Sequence, residues 1–273
     1  MARIRLDQLL VDRGLARSRA DAQARIHAGD VDLAGAPDRN LKPGQLVASD
    51  AALTLVERPR WASRAGAKLE AALDAFEVNV DGRAALDAGA STGGFTDVLL
   101  ARGARIVYAV DVGRAQLLDR LGRDPRVVSM ERTNLRTLTS LPEPIEVVTL
   151  DLSFISLALV LPAVRALLAA DARVVALVKP QFEAGRDDVP RGGVVREPAT
   201  WTRVLEEVGL AAGGARLRAE RAIRSPLVGG DGNVEFLVDL HPTEHVTAPA
   251  PLYAPSVRAS VDDPDRADSG TPA

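Results

Sequence analysis

The 273-residue sequence predicts an α/β fold: a Rossmann-like, mostly parallel sheet with helices on both faces, preceded by a small α+β module. Three observations carry that expectation. From Arg83 to Leu240, apolar runs at 84–86, 106–110, 127–128, 147–150, 174–178 and 236–238 alternate with amphipathic stretches of helical period, the pattern of strands covered on both faces by crossover helices. A glycine-rich turn follows the first run and an acidic residue closes the second and the fourth, at the strand ends where ligands of such sheets sit. The length also exceeds the commonest single-domain size, so a second, smaller domain is expected.

Composition narrows the chemistry. The chain is 47% hydrophobic but only 3% aromatic, so its core must be built from Leu, Val, Ile and Ala. It has no cysteine, which excludes disulfides, thiolate metal sites and a cysteine nucleophile and fits a reducing cytoplasmic setting; no metal site is expected. No apolar run approaches membrane-spanning length, and the start, Met1-Ala2-Arg3-Ile4-Arg5-Leu6-Asp7, lacks the character of a secretory signal. The net charge of −3 sits in residues 242–273, where five acids face two arginines among six of the 17 prolines. That segment reads as a disordered acidic tail, and the charge-balanced remainder gives no global argument for a nucleic-acid partner.

In the front module, 6–13 reads as a short helix with Asp7 at its start and Gly14 placed to stop it. A second helix begins at the N-cap Ser18, with Asp21 three residues later, runs through Ala22 and Ile26, and ends at Gly29. Alternation at 31–33, 45–47 and 53–55, divided by Gly35, Pro37, Pro43 and Gly44, predicts short strands. Six arginines against three acids make residues 1–29 locally +3, a charge suited either to a phosphate backbone or to an ordinary solvated helix pair.

In the main domain, the turn Asp87-Ala88-Gly89-Ala90-Ser91-Thr92-Gly93-Gly94-Phe95 lets the backbone approach a ligand before a helix starts near Thr96. Its glycine spacing is not the dinucleotide fingerprint, and it lacks the Gly-Lys-Ser/Thr ending of a phosphate loop. Asp111 closes the next strand where the hydroxyls of an adenosine ribose are held. Loop and acid together point to an adenosyl cofactor, and acids with backbone polar groups suit S-adenosylmethionine better than a pyrophosphate. Gly89, Ser91, Gly93, Phe95, Asp87 and Asp111 are the candidate cofactor residues. Asn134 is either a further contact or an exposed turn residue.

Asp151, Lys179 and Glu235 each interrupt an apolar run at or near a strand end. Buried charges are costly unless paired, so isolated structural use of all three is not expected. Only three of the 34 basic residues are lysines, and two of them, Lys68 and Lys179, fall beside these acids. Lysine, unlike arginine, can act as a base, although compositional drift toward arginine also leaves a few lysines by chance.

Two resemblances follow from these residues. Arg5-Leu6-Asp7…Arg17-Ser18-Arg19…Ala22…Ile26…Gly29-Asp30-Val31…Gly35 is similar to RNA-binding domains of the ribosomal protein S-four type, with Ala34 in place of the usual Asn. Ser63-Arg64…Lys68-Leu69, Asp87-Ala88-Gly89…Gly93-Gly94-Phe95-Thr96, Asp151-Leu152-Ser153-Phe154-Ile155-Ser156, Lys179-Pro180-Gln181-Phe182-Glu183 and Gly232-Asn233-Val234-Glu235-Phe236 resemble the TlyA family of RNA ribose 2′-O-methyltransferases, whose catalytic domain is FtsJ-like. The resemblance implies an S-four-type domain at 1–56, a linker at 57–64 in which Trp61 equally suits a packing role, and a methyltransferase domain at 65–241; the longer acidic tail at 242–273 departs from the family. It implies S-adenosylmethionine as cofactor, cytidines of ribosomal RNA as substrate, and a catalytic tetrad of Lys68, Asp151, Lys179 and Glu235. In it Lys179 serves as base or hydrogen-bond acceptor, oriented by Asp151 and Glu235, while Lys68 places the ribose. Arg3, Arg5, Arg17 and Arg19 are the expected rRNA contacts. Residue chemistry agrees on a ribose target: no cysteine is present for a covalent pyrimidine adduct, and the Asp/Asn-Pro-Pro-aromatic loop of base-nitrogen methylation is replaced by Asp151-Leu152-Ser153-Phe154. Two rival readings are an RNA-binding, ribosome-associated protein with an inactive methyltransferase shell, and a haemolysin, for which no amphipathic or spanning segment is found.

Overall fold

The computed structural model describes residues 3–28, 31–33, 41–55, 60–185 and 188–244, and the chain divides into two compact units, Met1–Arg60 and Trp61–Ala273. Gly29, Ala34, Gly35 and Pro37 lie outside the described residues, as does the tail from 245 onward.

The first unit contains β1 (Arg3–Arg5), α1 (Leu6–Asp12), α2 (Arg19–Ala28), β2 (Val31–Leu33), β3 (Leu46–Ala48) and β4 (Leu53–Leu55). β1, unforeseen because two of its three residues are arginines, pairs antiparallel with β3; β2 pairs with β4. Past α1, Gly14 takes φ 71°, the left-handed conformation that ends a helix. Ahead of α2, Ser18 Oγ accepts from the Asp21 N–H at 3.2 Å and Asp21 accepts from the Arg17 N–H at 2.9 Å, a reciprocal cap. Asp7 is fully buried and accepts from Arg5 at 2.9 and 2.8 Å, Arg19 at 3.3 Å and Gln23 at 3.1 Å. The Arg5 guanidinium, above all, holds its carboxyl well below the usual carboxylate range, against the opposing effect of burial.

The second unit runs α3 (Ala65–Ala75), β5 (Ala84–Ala88), α4 (Gly94–Ala101), β6 (Ile106–Val110), α5 (Asp119–Gly122), β7 (Val127–Met130), β8 (Ile145–Leu150), α6 (Leu161–Leu167), β9 (Leu168–Val178), α7 (Pro180–Glu183), α8 (Pro198–Gly214), β10 (Leu217–Arg224) and β11 (Phe236–Pro242). They form one seven-stranded sheet of order β10-β11-β9-β8-β5-β6-β7. Pairing is parallel from β9 to β7, while β11 runs antiparallel to both β9 and β10. β10 was not expected: its sequence, Leu-Arg-Ala-Glu-Arg-Ala-Ile-Arg, is half charged, and a register shift between Ala219 and Arg221 breaks its alternation. Successive residues of β11 serve two cores, Phe236 packing with Leu150, Val178 and Trp201, and Leu237 with Leu69, Phe76 and Phe95. Trp61 and Ala62, assigned to a linker by the sequence, pack against the second of these cores.

The reversal of β11 has a direct geometric result. Its first residue stands at the same sheet edge as the last residues of β5, β6, β8 and β9, so Glu235 joins Asp87, Asp111, Asp151 and Lys179 at one end of the sheet.

Candidate active site

Gly89, in the turn after β5, takes φ +85°, and a Cβ there would stand 2.3 Å from the Asp151 carbonyl oxygen. Only glycine lets these two strand ends close up. Beside them lies a cavity of about 440 Å³ lined by Gly89, Ser91, Asp111, Gln116, Asn134 and Asp151, among others, within the ~300–1,000 Å³ usual for small-ligand sites. Asp111 is fixed by the N–H groups of Ser91 at 2.9 Å and Gly113 at 2.6 Å, one to each oxygen. Each oxygen keeps a lone pair for an outside donor such as a ribose hydroxyl. Asn134 Oδ1 accepts from the Arg136 N–H at 3.0 Å, capping the short turn Leu135–Thr137 and leaving its NH₂ as a donor in the cavity wall. Volume, close backbone approach and an anchored carboxylate together fit an adenosyl cofactor.

Three expected cofactor residues stand behind this wall. Phe95, in the first turn of α4, is buried in the core under the sheet, and Gly93 caps α4 against Leu121. Asp87 is fully buried, accepting from Thr96 Oγ1 at 2.6 Å and Thr149 Oγ1 at 3.1 Å. Burial pushes its carboxyl up to about 6, opposed by the two hydroxyls and reinforced by the nearby Asp151. Asp87 therefore braces the loop from below. Because the folded carboxyl keeps its proton up to about pH 6 and the unfolded one only to about 3.8, its stabilising contribution is full below pH 4 and disappears as the pH rises through 6. Relative to Asp87→Asn, the wild type should lose up to about 3 kcal/mol of unfolding free energy between pH 4 and 7. Denaturant titrations of both proteins across that range check this; a pH-independent difference would refute it.

At the same sheet edge the four charged residues form two contacts. Lys179 Nζ is 2.7 Å from Asp151 Oδ1 and 3.0 Å from Ser153 Oγ. Lys68, from the first turn of α3, forms an ion pair with Glu235, both side chains being buried. Register aligns the two pairs, since Phe236 faces Val178 and Glu235 and Lys179 are each one residue beyond that couple. Glu235, expected to orient Lys179, has its Oε2 taken by Lys68, and its Oε1 lies against Gly229, where a Cβ would come within 2.5 Å.

Several neighbours were not identified from the sequence. Phe154 has φ 62° and is 89% exposed, an uncommon conformation for a bulky residue, with its ring 4.8 Å from that of Phe182. Phe182 in turn lies 5.9 Å from Lys179 Nζ. Glu183 accepts from Ser156 Oγ at 2.7 Å and the Leu157 N–H at 2.9 Å, tying the loop after β8 to the turn after β9; burial pushes its carboxyl up. The only sequence signal for this aromatic pair was two phenylalanines, each three residues after a strand-end charge, in a chain with five in all.

A family model for FtsJ-like methyltransferases matches residues 61–241. The chain is similar to the 16S/23S rRNA (cytidine-2′-O)-methyltransferase TlyA of Mycobacterium tuberculosis, 49% identical over 242 residues, covering 86% of this chain and 89% of that protein. It is also similar to Hemolysin A of Brachyspira hyodysenteriae, 37% identical over 237 residues, covering 86% and 98% respectively. A solved structure from Streptococcus thermophilus that carries a hemolysin name matches with a TM-score of 0.71 at 41% identity, over 96% of this chain and 95% of that one.

Proposed function

The chain belongs to the FtsJ-like methyltransferase family, in its TlyA-type branch, and from that premise we infer that it transfers a methyl group to the ribose 2′-hydroxyl of cytidines in ribosomal RNA. The single observation that carries the reading at the site is the Lys179–Asp151 contact at the edge of the cavity. S-adenosylmethionine, when bound, supplies an electrophilic methyl on a cationic sulfur. Asp111 and the Gly89 turn hold the adenosyl part, with Ser91 and Asn134 alongside. Lys179 Nζ accepts the proton as the 2′-oxygen attacks, and Asp151 and Ser153 fix the amine and stabilise the ammonium that results. Lys68, from the first turn of α3 and with Glu235 neutralising its charge, bounds the ribose. The exposed Phe154 ring, tilted against the partly buried Phe182, offers a face on which the base of the target nucleotide stacks, an interaction worth ~1–3 kcal/mol.

The first unit supplies phosphate contacts. Asp7 holds Arg5 and Arg19 with their side chains 46% and 53% exposed, so each guanidinium keeps donors for a backbone while its direction is fixed. Arg3 and Arg17 complete the set and make no ion pair with another described residue. Such a protein acts in the cytoplasm, where ribosomal RNA is. No helix among the described residues is long and apolar enough to cross a membrane.

Ribosomal subunits incubated with the enzyme and methyl-labelled S-adenosylmethionine should take up label at a cytidine, and the phosphodiester 3′ to it should resist alkali because the 2′-oxygen is blocked. Alkali-labile RNA at that position, or label on the free base, would refute the assignment. Cofactor binding with no transfer would establish the inactive-shell reading instead.

A further inference from the structure

A second hollow, of about 240 Å³, opens beside Lys68 and is lined by Ser63, Arg64, Ala65, Lys68, Leu227, Val228 and Gly230. It shares no residue with the cofactor cavity. The cofactor cavity lies at the ends of β5, β6 and β8, and the hollow lies in the loop leading to β11 and at the start of α3, where Ser63 and Ala65 abut Gly94 of the glycine-rich turn. Two cations line it and no acid does. Arg64 is exposed, and its side chain has no ion pair or hydrogen bond to another described residue. Of the acids in the loop leading to β11, Glu235 is 3% exposed and paired with Lys68, whereas Asp231, next to the lining Gly230, is exposed. Its volume is below the ~300–1,000 Å³ of whole-cofactor sites.

We propose that this hollow seats a phosphodiester of the RNA flanking the target ribose, gripped by Arg64 with Lys68 at its inner wall. The proposal rests on the reading of the site as a ribose methyltransferase and adds a substrate contact to it. The 2′-oxygen of a ribose is only a few bonds from the 3′-phosphate, so a ribose presented at Lys179 brings an anion within reach of its surroundings. A small cationic recess separate from the cofactor cavity receives that anion and fixes the sugar's rotation. Arg64 suits the task because its planar fork holds two phosphate oxygens at once. Val228, 51% exposed, stands on the rim.

The test uses the full chain with Arg64→Ala, Arg64→Lys, Val228→Glu and Val228→Gln, all at exposed positions, with the melting temperature recorded for each. Arg64→Ala should raise the KM for ribosomal RNA about tenfold, with kcat and the affinity for S-adenosylhomocysteine within about twofold of wild type. The slope of log KM against log salt should fall by about 0.7–0.9, the loss of one phosphate contact. Arg64→Lys should recover part of the KM. Val228→Glu should raise KM about as much as Arg64→Ala and clearly above the KM of Val228→Gln, whose side chain has the same size without the charge. An Arg64→Ala enzyme with the wild-type KM and salt slope, a loss confined to kcat, or equal effects of Glu and Gln at 228 would overturn the proposal. If the wild type methylates no ribose, the functional reading fails on its own, and filter binding of RNA to wild type and Arg64→Ala still decides the hollow: equal salt slopes refute it, and a slope smaller by about 0.7–0.9 supports it.

Discussion

Lys179→Arg is expected to bind S-adenosylhomocysteine as tightly as the wild type and to lose about 10²–10⁴-fold in single-turnover methyl transfer. The guanidinium keeps a donor for Asp151, which sits 2.7 Å from the amine, so that contact survives. What is lost is a group able to accept a proton, because arginine stays protonated at any working pH. Gly89, Ser91, Asp111 and Asn134 are untouched, which separates binding from chemistry. Transfer within a few-fold of wild type would show that Lys179 acts only as a fixed charge, and the base assignment would fall.

Lys68→Met should destabilise the protein by about 3–5 kcal/mol, because it leaves the Glu235 carboxylate buried without its partner. For a domain of this size that is a melting temperature lower by roughly 6–20 °C. The double variant Lys68→Met, Glu235→Gln removes both charges and should regain most of the loss while remaining inactive. Calorimetric melts of the two variants and the wild type supply the comparison. A single variant that melts with the wild type would mean that the pair is solvated, and a double variant no more stable than the single would mean that packing, not charge, is at stake.

The strands that could be located from sequence were those buried on both faces, 106–110 and 174–178 above all, since unbroken apolar runs have few other uses. Charges that end such runs were legible for the same reason, and Asp151, Lys179 and Glu235 all stand at the site. β1 and β10 escaped because they are edge strands whose arginines and glutamate satisfy no periodic template. Which lysine meets which acid was not legible either: Lys68 and Glu235 are 167 residues apart, and their contact depends on the direction of β11, which no local pattern encodes. The partners of Asp87 were not legible from its place at a strand end. The alternation of a strand sends every second residue inward, and Thr96 and Thr149 were waiting there. Phe154 depends on a left-handed backbone that only the finished loop imposes.

The antiparallel seventh strand also sets an order in time. Translation delivers Asp87, Asp111, Asp151 and Lys179 while the parallel strands from β5 to β9 are being made, yet Glu235 arrives 56 residues after Lys179. At ~5–20 residues per second that gap is roughly 3–11 s. Until the β10–β11 hairpin docks, Lys68 has no counter-charge and the second core lacks Leu237. A nascent chain thus holds Asp87, Asp111, Asp151 and Lys179 before the Lys68–Glu235 pair can form, which makes the last strand the closing step in assembling this end of the sheet.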